Sequence, residues 1–198
     1  KMASKLLKTN FSYKLINGPI NKMSFLNKKF PGVTEYISNE FKTKNTGMLI
    51  YNKNLSVCPL TTHLPIKLVS KKITKKIIEE KIQLINNFFK DKLGYKHKIV
   101  SAAINTQKKK GIKVYGPYPA DTIFLKNNRV KFNIILGMYH DQVLVPIKTI
   151  FEFDAINITM GLPFLRVTPD HGPNTKMFGK NKSNPQSLIR ALEFLDNR

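Results

Sequence analysis

The stretch Asn133-Ile-Ile-Leu-Gly-Met-Tyr-His-Asp-Gln142 sets a short apolar run directly before a cluster of polar residues. An apolar run of this length is typical of a strand that is buried on both faces. It predicts a strand over residues 133–138 that delivers residues 139–142 in a loop at its carboxyl end. Because such strands need helices on both sides of their sheet, this stretch indicates an α/β fold.

On either side of this strand, short apolar runs alternate with helical patterns. Further strands are predicted at Lys14–Ile16, 48–51, 55–59, 113–115 and 155–160. Helices are predicted at residues 1–8, after Asn21, at 34–41 with Thr34 as N-cap, at 74–93 with Thr74 as N-cap, at 100–110 and at 186–195. The alternation predicts a largely parallel sheet. Ligands collect at the carboxyl ends of such strands, so the polar loops at 61–65, 139–142 and 161–163 are candidate site segments.

Composition narrows the class of protein. The 198 residues carry 34 basic and 12 acidic side chains, a net charge of +22, but only four of the bases are arginines. Readers of nucleic acid favour arginine for its planar fork, so no specific nucleic-acid partner is expected. The longest uncharged stretch, 155–165, is too short to span a membrane. The single cysteine, Cys58, and the absence of a signal peptide predict a cytoplasmic protein without disulfides.

Two histidines are candidate metal ligands because both follow predicted strands. His63 lies in the loop 61–65, and His140 precedes Asp141, a carboxylate that can orient it or serve as a base. Asp121 is a second acidic candidate, with a helix N-cap as its alternative role. Further candidates to bind an anionic substrate are Lys148, Asn157 and Arg166. From the residues alone, two alternatives remain. The histidines can be ordinary core or surface residues, and the basic side chains can be solvated and bind no substrate.

Seven motifs occur in an order that resembles a known family. They are Ile16-Asn-Gly-Pro-Ile-Asn-Lys22, Phe30-Pro-Gly-Val-Thr-Glu-Tyr36, Thr61-Thr-His-Leu-Pro65, Gly116-Pro-Tyr-Pro-Ala-Asp-Thr122, Met138-Tyr-His-Asp-Gln142, Asn157-Ile-Thr-Met-Gly-Leu-Pro-Phe-Leu-Arg166 and Asp170-His-Gly172. Together they resemble the 4-hydroxythreonine-4-phosphate dehydrogenase family of pyridoxal phosphate biosynthesis. The resemblance runs from about Leu15 to the C-terminus.

The resemblance implies a fold, a partner and a set of cofactors. The fold is an isocitrate/isopropylmalate-dehydrogenase-like three-layer α/β/α sandwich, and the protein is a homodimer. The site lies in a cleft between two lobes, where histidines of both subunits bind a divalent metal: zinc, cobalt, manganese or magnesium. NAD or NADP binds without the glycine-rich dinucleotide fingerprint, which this sequence lacks.

The resemblance also assigns roles to individual residues. His63 and His140 match two metal ligands. Thr34, Lys148, Asn157 and Arg166 match substrate-binding positions. Asp121 and Asp141 match acidic residues near the reacting centre, with Asp141 as the base.

The implied activity is metal-dependent, NAD(P)-linked oxidation and decarboxylation of 4-phosphooxy-L-threonine. One alternative is a related dehydrogenase of a phosphorylated sugar acid such as 4-phosphoerythronate. Others are an inactive fragment or paralogue, or a non-catalytic protein that binds polyanions. We expect a small phosphorylated substrate and no membrane partner.

The sequence departs from the family's pattern at three places. The family's N-terminal Pro-Gly-Glu-Pro-Ala-Gly-Ile-Gly-type motif is absent, and Val33 replaces a histidine that contacts substrate. The Gly-Leu-Asn-Pro-His segment, which carries the third metal histidine, is also absent, and His97 does not match it. We therefore expect residues 1–198 to be a single truncated unit of a two-lobed dehydrogenase, with no independent second domain and two of three metal histidines.

Overall fold

The structure is a computed structural model that describes residues 2–21, 26, 29–30, 32–94, 97–101 and 111–198. Contacts within the chain divide it into two compact units. The first unit combines Lys1–Thr46 with Phe153–Arg198, and the second unit is Gly47–Glu152. The absence of an independent second domain stays a prediction.

The described residues form helices and strands that alternate along most of the chain. The helices are α1 Met2–Lys8, α2 Val33–Glu40, α3 Ile66–Lys72, α4 Lys75–Leu93, α5 Ala120–Ile123, α6 Lys126–Arg129, α7 His140–Phe151 and α8 Gln186–Asp196, with a 3-10 turn at Thr175–Met177. The strands are β1 Lys14–Ile16, β2 Gly47–Tyr51, β3 Ser56–Thr61, β4 Ile99–Ser101, β5 Val114–Tyr115, β6 Ile134–Tyr139, β7 Ile156–Met160 and β8 Leu165–Pro169.

The second unit contains five of the strands, in the order β2-β3-β6-β4-β5. The hairpin β2-β3 is antiparallel, and every other pair in this order is parallel. All six residues of β3 are buried, as is typical of a strand covered on both faces. Helix α4 buries an apolar face against this sheet, and α7 packs on β3 and β6. The prediction of an α/β class is confirmed.

The first unit contains strands β1, β8 and β7 in that order. Strand β1 is parallel to β8, and β7 is antiparallel to β8. Side chains alternate between the faces of a strand, so Ile156, Ile158 and Met160 lie on one face of β7 while Asn157 and Thr159 lie on the other. The antiparallel register places Thr159 opposite Arg166 and Asn157 opposite Thr168. This face of β7 and β8 is therefore polar.

Several predicted elements are confirmed by the structure. Strand β1 has the predicted bounds, β2 and β3 form the predicted hairpin, and α8 follows Pro185. Helix α4 begins after Thr74, whose hydroxyl accepts the N–H of Ile77 at 3.3 Å. It ends at Gly94, which has φ 73°, a left-handed conformation that glycine adopts at low cost.

Other predictions are wrong. Thr34 is not an N-cap, because α2 already begins at Val33 after Gly32. Residues 140–142 form the first turn of α7 and not a loop. Residues 100 and 101 belong to a strand, because the backbone of β4 pairs with both β5 and β6. The remainder of that predicted helix, 102–110, lies outside the described residues, as does most of the helix predicted after Asn21.

Helix α3 and strand β8 were not predicted. Among the described residues, no helix is both long enough and apolar enough to cross a membrane.

Candidate active site

His63 and His140 follow the carboxyl ends of two paired strands. Strands β3 and β6 are parallel neighbours, and Thr61 is in register with Tyr139. The hydroxyl of Thr61 donates to the carbonyl oxygen of Met138 at 2.8 Å, which fixes the two strand ends together. His63 comes two residues after this register point and has φ 55°, an uncommon conformation for a residue with a side chain. The topology therefore brings both predicted metal ligands to one edge of the sheet.

The imidazole of His140 is oriented by its neighbour. Nδ1 of His140 and Oδ1 of Asp141 lie 2.7 Å apart. Because a carboxylate accepts this hydrogen bond, Nδ1 carries the proton and Nε2 keeps the lone pair that a metal binds. The Asp141 side chain remains largely exposed, with 76% of its surface accessible. Asp141 is thus placed to orient His140, and its carboxylate is open to solvent.

The first turn of α7 is attached to β6 by a side chain. Oε1 of Gln142 accepts the backbone N–H of Met138 at 2.7 Å. Gly137 permits the close approach, since a Cβ at this position would lie 2.3 Å from Cγ1 of Val143. This junction holds His140 and Asp141 at the end of β6.

The residues that could hold a metal are incomplete within the described part of one chain. It contains no group of three or more histidine, cysteine, aspartate or glutamate side chains that could bind a metal ion. Catalytic metal sites usually have three protein ligands and one open position. His63 and His140 suit a metal such as zinc by their chemistry, and a third donor has to come from elsewhere. His97 is buried against the ring of Phe89, with 4.6 Å between centroids.

A cavity of about 80 Å³ lies beside this junction in the second unit. It is lined by apolar side chains of α5 and β6 together with the polar side chains of Tyr118 and Gln142. This lining fits an uncharged group better than a phosphate. Asp121 is exposed in the first turn of α5, whose N-cap residue Pro119 makes no side-chain cap. The alternative role of Asp121 as an N-cap is therefore not seen.

Arg166 is the centre of a polar cluster in the first unit. Only 4% of the residue is exposed. Its Nε donates to Oδ1 of Asn17 at 2.9 Å, and its Nη1 donates to the hydroxyls of Thr34 and Thr159 at 3.2 Å and 2.6 Å. Burial lowers the pKa of Arg166 to about 10, and the carboxylate of Glu35 opposes this shift. Arg166 is therefore still a cation at neutral pH.

The cluster has hydrogen-bonding capacity that the described residues leave unused. Nη2 of Arg166 donates to none of them. Oδ1 of Asn157 and Oε2 of Glu35 are buried and accept no hydrogen bond from them either. Asn157 lies on the same face of β7 as Thr159. A buried guanidinium with one free edge is suited to bind an anion.

The predicted site residues fall into two groups, each within one unit. Thr34, Asn157 and Arg166 lie in the first unit, and Thr34 and Arg166 are in direct contact. The others lie in the second unit: His63, His140 and Asp141 at one sheet edge, Asp121 in α5 and Lys148, half-buried, in α7.

Three residues of the cluster were not predicted from the sequence: Asn17, Glu35 and Thr159. The alternation of polar and apolar residues over 156–160 was the available signal for Thr159.

Cys58 is not part of either group. The residue is fully buried in β3, and burial raises the pKa of its thiol to about 11. The interpretation of Cys58 as a core residue is confirmed.

The chain matches a family profile over almost its whole length. The profile, described as "Pyridoxal phosphate biosynthetic protein PdxA", matches residues 1–105 and 96–195. The two matching parts overlap at residues 96–105, in the stretch where the segment with the third metal histidine is absent from the sequence.

Similar curated proteins carry related names. A 4-hydroxythreonine-4-phosphate dehydrogenase of Sulfurihydrogenibium sp. is 37% identical over 90% of this chain and 63% of its own length. A D-threonate 4-phosphate dehydrogenase of Pectobacterium atrosepticum is 28% identical over 98% of this chain and 67% of its own length. This chain therefore spans less than two thirds of the Sulfurihydrogenibium relative.

Solved structures show the same fold. The 4-hydroxythreonine-4-phosphate dehydrogenase of Klebsiella pneumoniae superposes with a TM-score of 0.81 at 25% identity, over 99% of this chain and 67% of its own. A β-decarboxylating dehydrogenase of Thermococcus kodakarensis gives 0.59 at 13% identity over 96% of this chain and 67% of its own, a likeness of fold alone. These likenesses bear out the predicted isocitrate/isopropylmalate-dehydrogenase-like α/β sandwich. The chain belongs to the PdxA family of pyridoxal phosphate biosynthetic proteins.

Proposed function

We propose that this chain acts in pyridoxal phosphate biosynthesis as a dehydrogenase that oxidises and decarboxylates 4-phosphooxy-L-threonine. Membership of the PdxA family and the names of its relatives support the reaction class. The observation that carries the proposal is Arg166, a buried cation whose Nη2 is unused by the described residues. Charged groups are rarely buried without a reason, and an anionic substrate supplies one.

The residues around Arg166 prepare it to bind an anionic end of the substrate. Asn17, Thr34 and Thr159 are neutral acceptors that orient the guanidinium, and the carboxylate of Glu35 is the acidic group that acts on its charge. Asn157 adds a buried oxygen that accepts a hydrogen bond from a substrate hydroxyl or ammonium group. We assign Lys148 a second contact to an anionic group. Charge-assisted hydrogen bonds of this kind contribute about 1.5–3 kcal/mol each.

We assign the metal-dependent chemistry to the two histidines of the second unit. His63 and His140 would hold a divalent metal, which supplies Lewis-acid polarisation of a substrate oxygen when bound. NAD or NADP, when bound, takes up the hydride. Asp141 keeps the Nε2 lone pair of His140 available and presents a second, exposed carboxylate oxygen. We assign Asp141 the role of base and Asp121 that of a second acidic group near the reacting centre.

We also propose that the working form is a homodimer. Support comes from the metal ligands, because the described part of one chain offers two histidines where three protein ligands are usual. A partner subunit is one source of a third donor. A molar-mass measurement by light scattering, with and without metal, tests this assembly.

A phosphorylated sugar acid is the second candidate substrate. Val33, in place of the family's histidine, packs against the apolar cluster of Leu7, Ile37, Leu162 and Phe164. The side chain at this position therefore cannot donate a hydrogen bond to substrate. One relative is named as a D-threonate 4-phosphate dehydrogenase, a sugar-acid enzyme. Both facts make 4-phosphoerythronate, or a similar phosphorylated sugar acid, the second candidate substrate.

The test is an assay of the purified chain with added divalent metal and either nicotinamide cofactor. We expect 4-phosphooxy-L-threonine to produce reduced cofactor, and Arg166→Lys to raise KM about tenfold because lysine lacks the planar fork. Arg198→Lys is the matched control, since Arg198 lies over the ring of Phe194 at an exposed position. Turnover of 4-phosphoerythronate alone would establish the second candidate. If neither substrate is turned over, the proposal that this chain is an active dehydrogenase is contradicted.

A further inference from the structure

Arg166 can offer a ligand one of its nitrogens and not a pair of them. A guanidinium carries five N–H donors: one on Nε and two on each terminal nitrogen. Asn17 accepts the hydrogen of Nε, and the hydroxyls of Thr34 and Thr159 accept those of Nη1. Both N–H donors of Nη2 have no acceptor among the described residues. An anion therefore has to meet Arg166 at Nη2, and the direction of Nη2 decides where that anion binds.

Thr159 is the contact that holds the guanidinium most firmly. Its hydroxyl oxygen lies 2.6 Å from Nη1, the shortest of the three distances, and only 3% of the residue is exposed. The antiparallel register places Thr159 directly opposite Arg166 on the neighbouring strand, so the two side chains stand on the same face of the sheet. The branched side chain of threonine has few rotamers. The backbone pairing of β7 and β8 therefore keeps the hydroxyl in place.

The other two acceptors are held less closely. Thr34 lies in the first turn of α2 and accepts from Nη1 at 3.2 Å. Asn17 is half-buried and follows β1, where its amide also donates to the carbonyl oxygen of Gly18 at 3.0 Å. A planar group that loses one of several contacts can turn about those that remain. Loss of the Thr159 contact should therefore let the guanidinium turn and carry Nη2 away from its present direction.

We propose that Thr159 is a positioning residue for substrate binding, which holds Nη1 of Arg166 so that both N–H donors of Nη2 face the anionic group of the substrate. The inference rests on the proposed function and deepens it, because it adds a residue to those that the resemblance assigns to substrate binding. Thr159 contacts Arg166 and acts through it. Its loss should therefore raise KM and leave kcat unchanged.

Thr159→Val is the sharpest variant, because it keeps the branched shape of the side chain and removes the hydroxyl. We expect it to weaken binding of 4-phosphooxy-L-threonine about fivefold, measured by calorimetry with metal and without cofactor. Thr159→Ser keeps the hydroxyl and should bind as the parent chain does. Thr168→Val is the matched control, since Thr168 is a buried threonine on the same face of β8 as Arg166 but is not among the described partners of the guanidinium. Thermal unfolding verifies that each variant is folded.

A double-variant comparison shows whether Thr159 acts through Arg166. In an Arg166→Met background, Thr159→Val should cause no further loss of affinity, because the guanidinium that it positions is gone. The inference is overturned by unchanged affinity in Thr159→Val, by no recovery in Thr159→Ser, or by an equal loss in both backgrounds. Binding that depends on Thr159 without turnover in the presence of NAD or NADP would contradict the proposed function and leave the inference standing. A parent chain that does not bind this compound would overturn the inference and the leading substrate together.

Discussion

His140 is the proposed metal ligand whose ring orientation the structure describes most directly. Its contact with Asp141 fixes which ring nitrogen carries the proton, and 41% of its side chain is accessible. Carboxylates that orient ligand histidines in this way make large contributions to metal affinity. The affinity of the site should therefore depend on Asp141 as well as on the two histidines.

We expect the purified chain to retain zinc after dialysis and His140→Ala to lose it. Asp141→Asn should retain zinc with an affinity lowered about 10–100-fold, because an amide orients the imidazole less strongly than a carboxylate does. Metal analysis of dialysed protein measures both effects. His171→Ala is the control, since His171 is an exposed residue of the first unit. A parent chain without zinc, or equal loss in the control, would contradict the assignment of His140.

At the scale of elements, the junction between β6 and α7 requires a residue without a side chain at position 137. A Cβ at Gly137 would lie 2.3 Å from Cγ1 of Val143 and 3.0 Å from Oε1 of Gln142. Both neighbours belong to the first turn of α7, and Val143 is buried. The helix cannot move away without breaking the hydrogen bond between Gln142 and Met138. Glycine is thus required here for space.

We expect Gly137→Ala to lower the free energy of unfolding by about 1–3 kcal/mol, the usual cost of overpacking a core. It should also weaken zinc binding, because His140 begins the displaced helix. Gly172→Ala is the matched control: no atom lies within 4 Å of its added Cβ, and its φ is not in the left-handed region. Urea denaturation measures the two variants side by side. Equal stability of the two would show that α7 does not pack against Gly137 as described.

The elements that the sequence could predict are those with a strong local pattern. The apolar run of β6 and the helical spacing of α4 are visible without any partner, and Thr74 is a standard N-cap. Strand β8 is different, because Leu165–Pro169 is short and contains a charged residue. Its strand conformation depends on pairing with β1 and β7. The pairing of β4 likewise overrides the helical pattern predicted at residues 100–110.

The candidate site was also predictable only where a residue stands in a local pattern. His63 and His140 were predictable because each follows a predicted strand, and Arg166 was predictable because it ends a motif of the family that the sequence resembles. Thr159 was missed, because its contact with Arg166 follows from the antiparallel register of β7 and β8. Without β8 in the prediction, no pattern in the sequence relates these two residues. Contacts that bridge strands require knowledge of the sheet.

At the scale of the whole chain, the net charge of +22 has to be reconciled with a small-molecule function. A chain with this charge attracts polyanions without any specific site. The charge is carried almost entirely by lysine, which binds phosphate as a point charge and reads base edges less specifically than arginine. The physical expectation is a non-specific affinity that salt screens.

We expect the chain to bind DNA fragments at low salt with equal affinity for unrelated sequences, and to lose that binding as salt approaches physiological concentration. Each phosphate contact releases a counterion, so six to ten such contacts weaken binding by roughly 10³–10⁵ over that range. Fluorescence anisotropy with two unrelated duplexes measures the salt slope and the preference together. If the charge produces only non-specific attraction, the affinity for DNA falls steeply with salt and neither duplex is preferred. A preference for one duplex that persists at physiological salt would instead establish a specific nucleic-acid partner, and the function would then have to be sought on the lysine-rich surface.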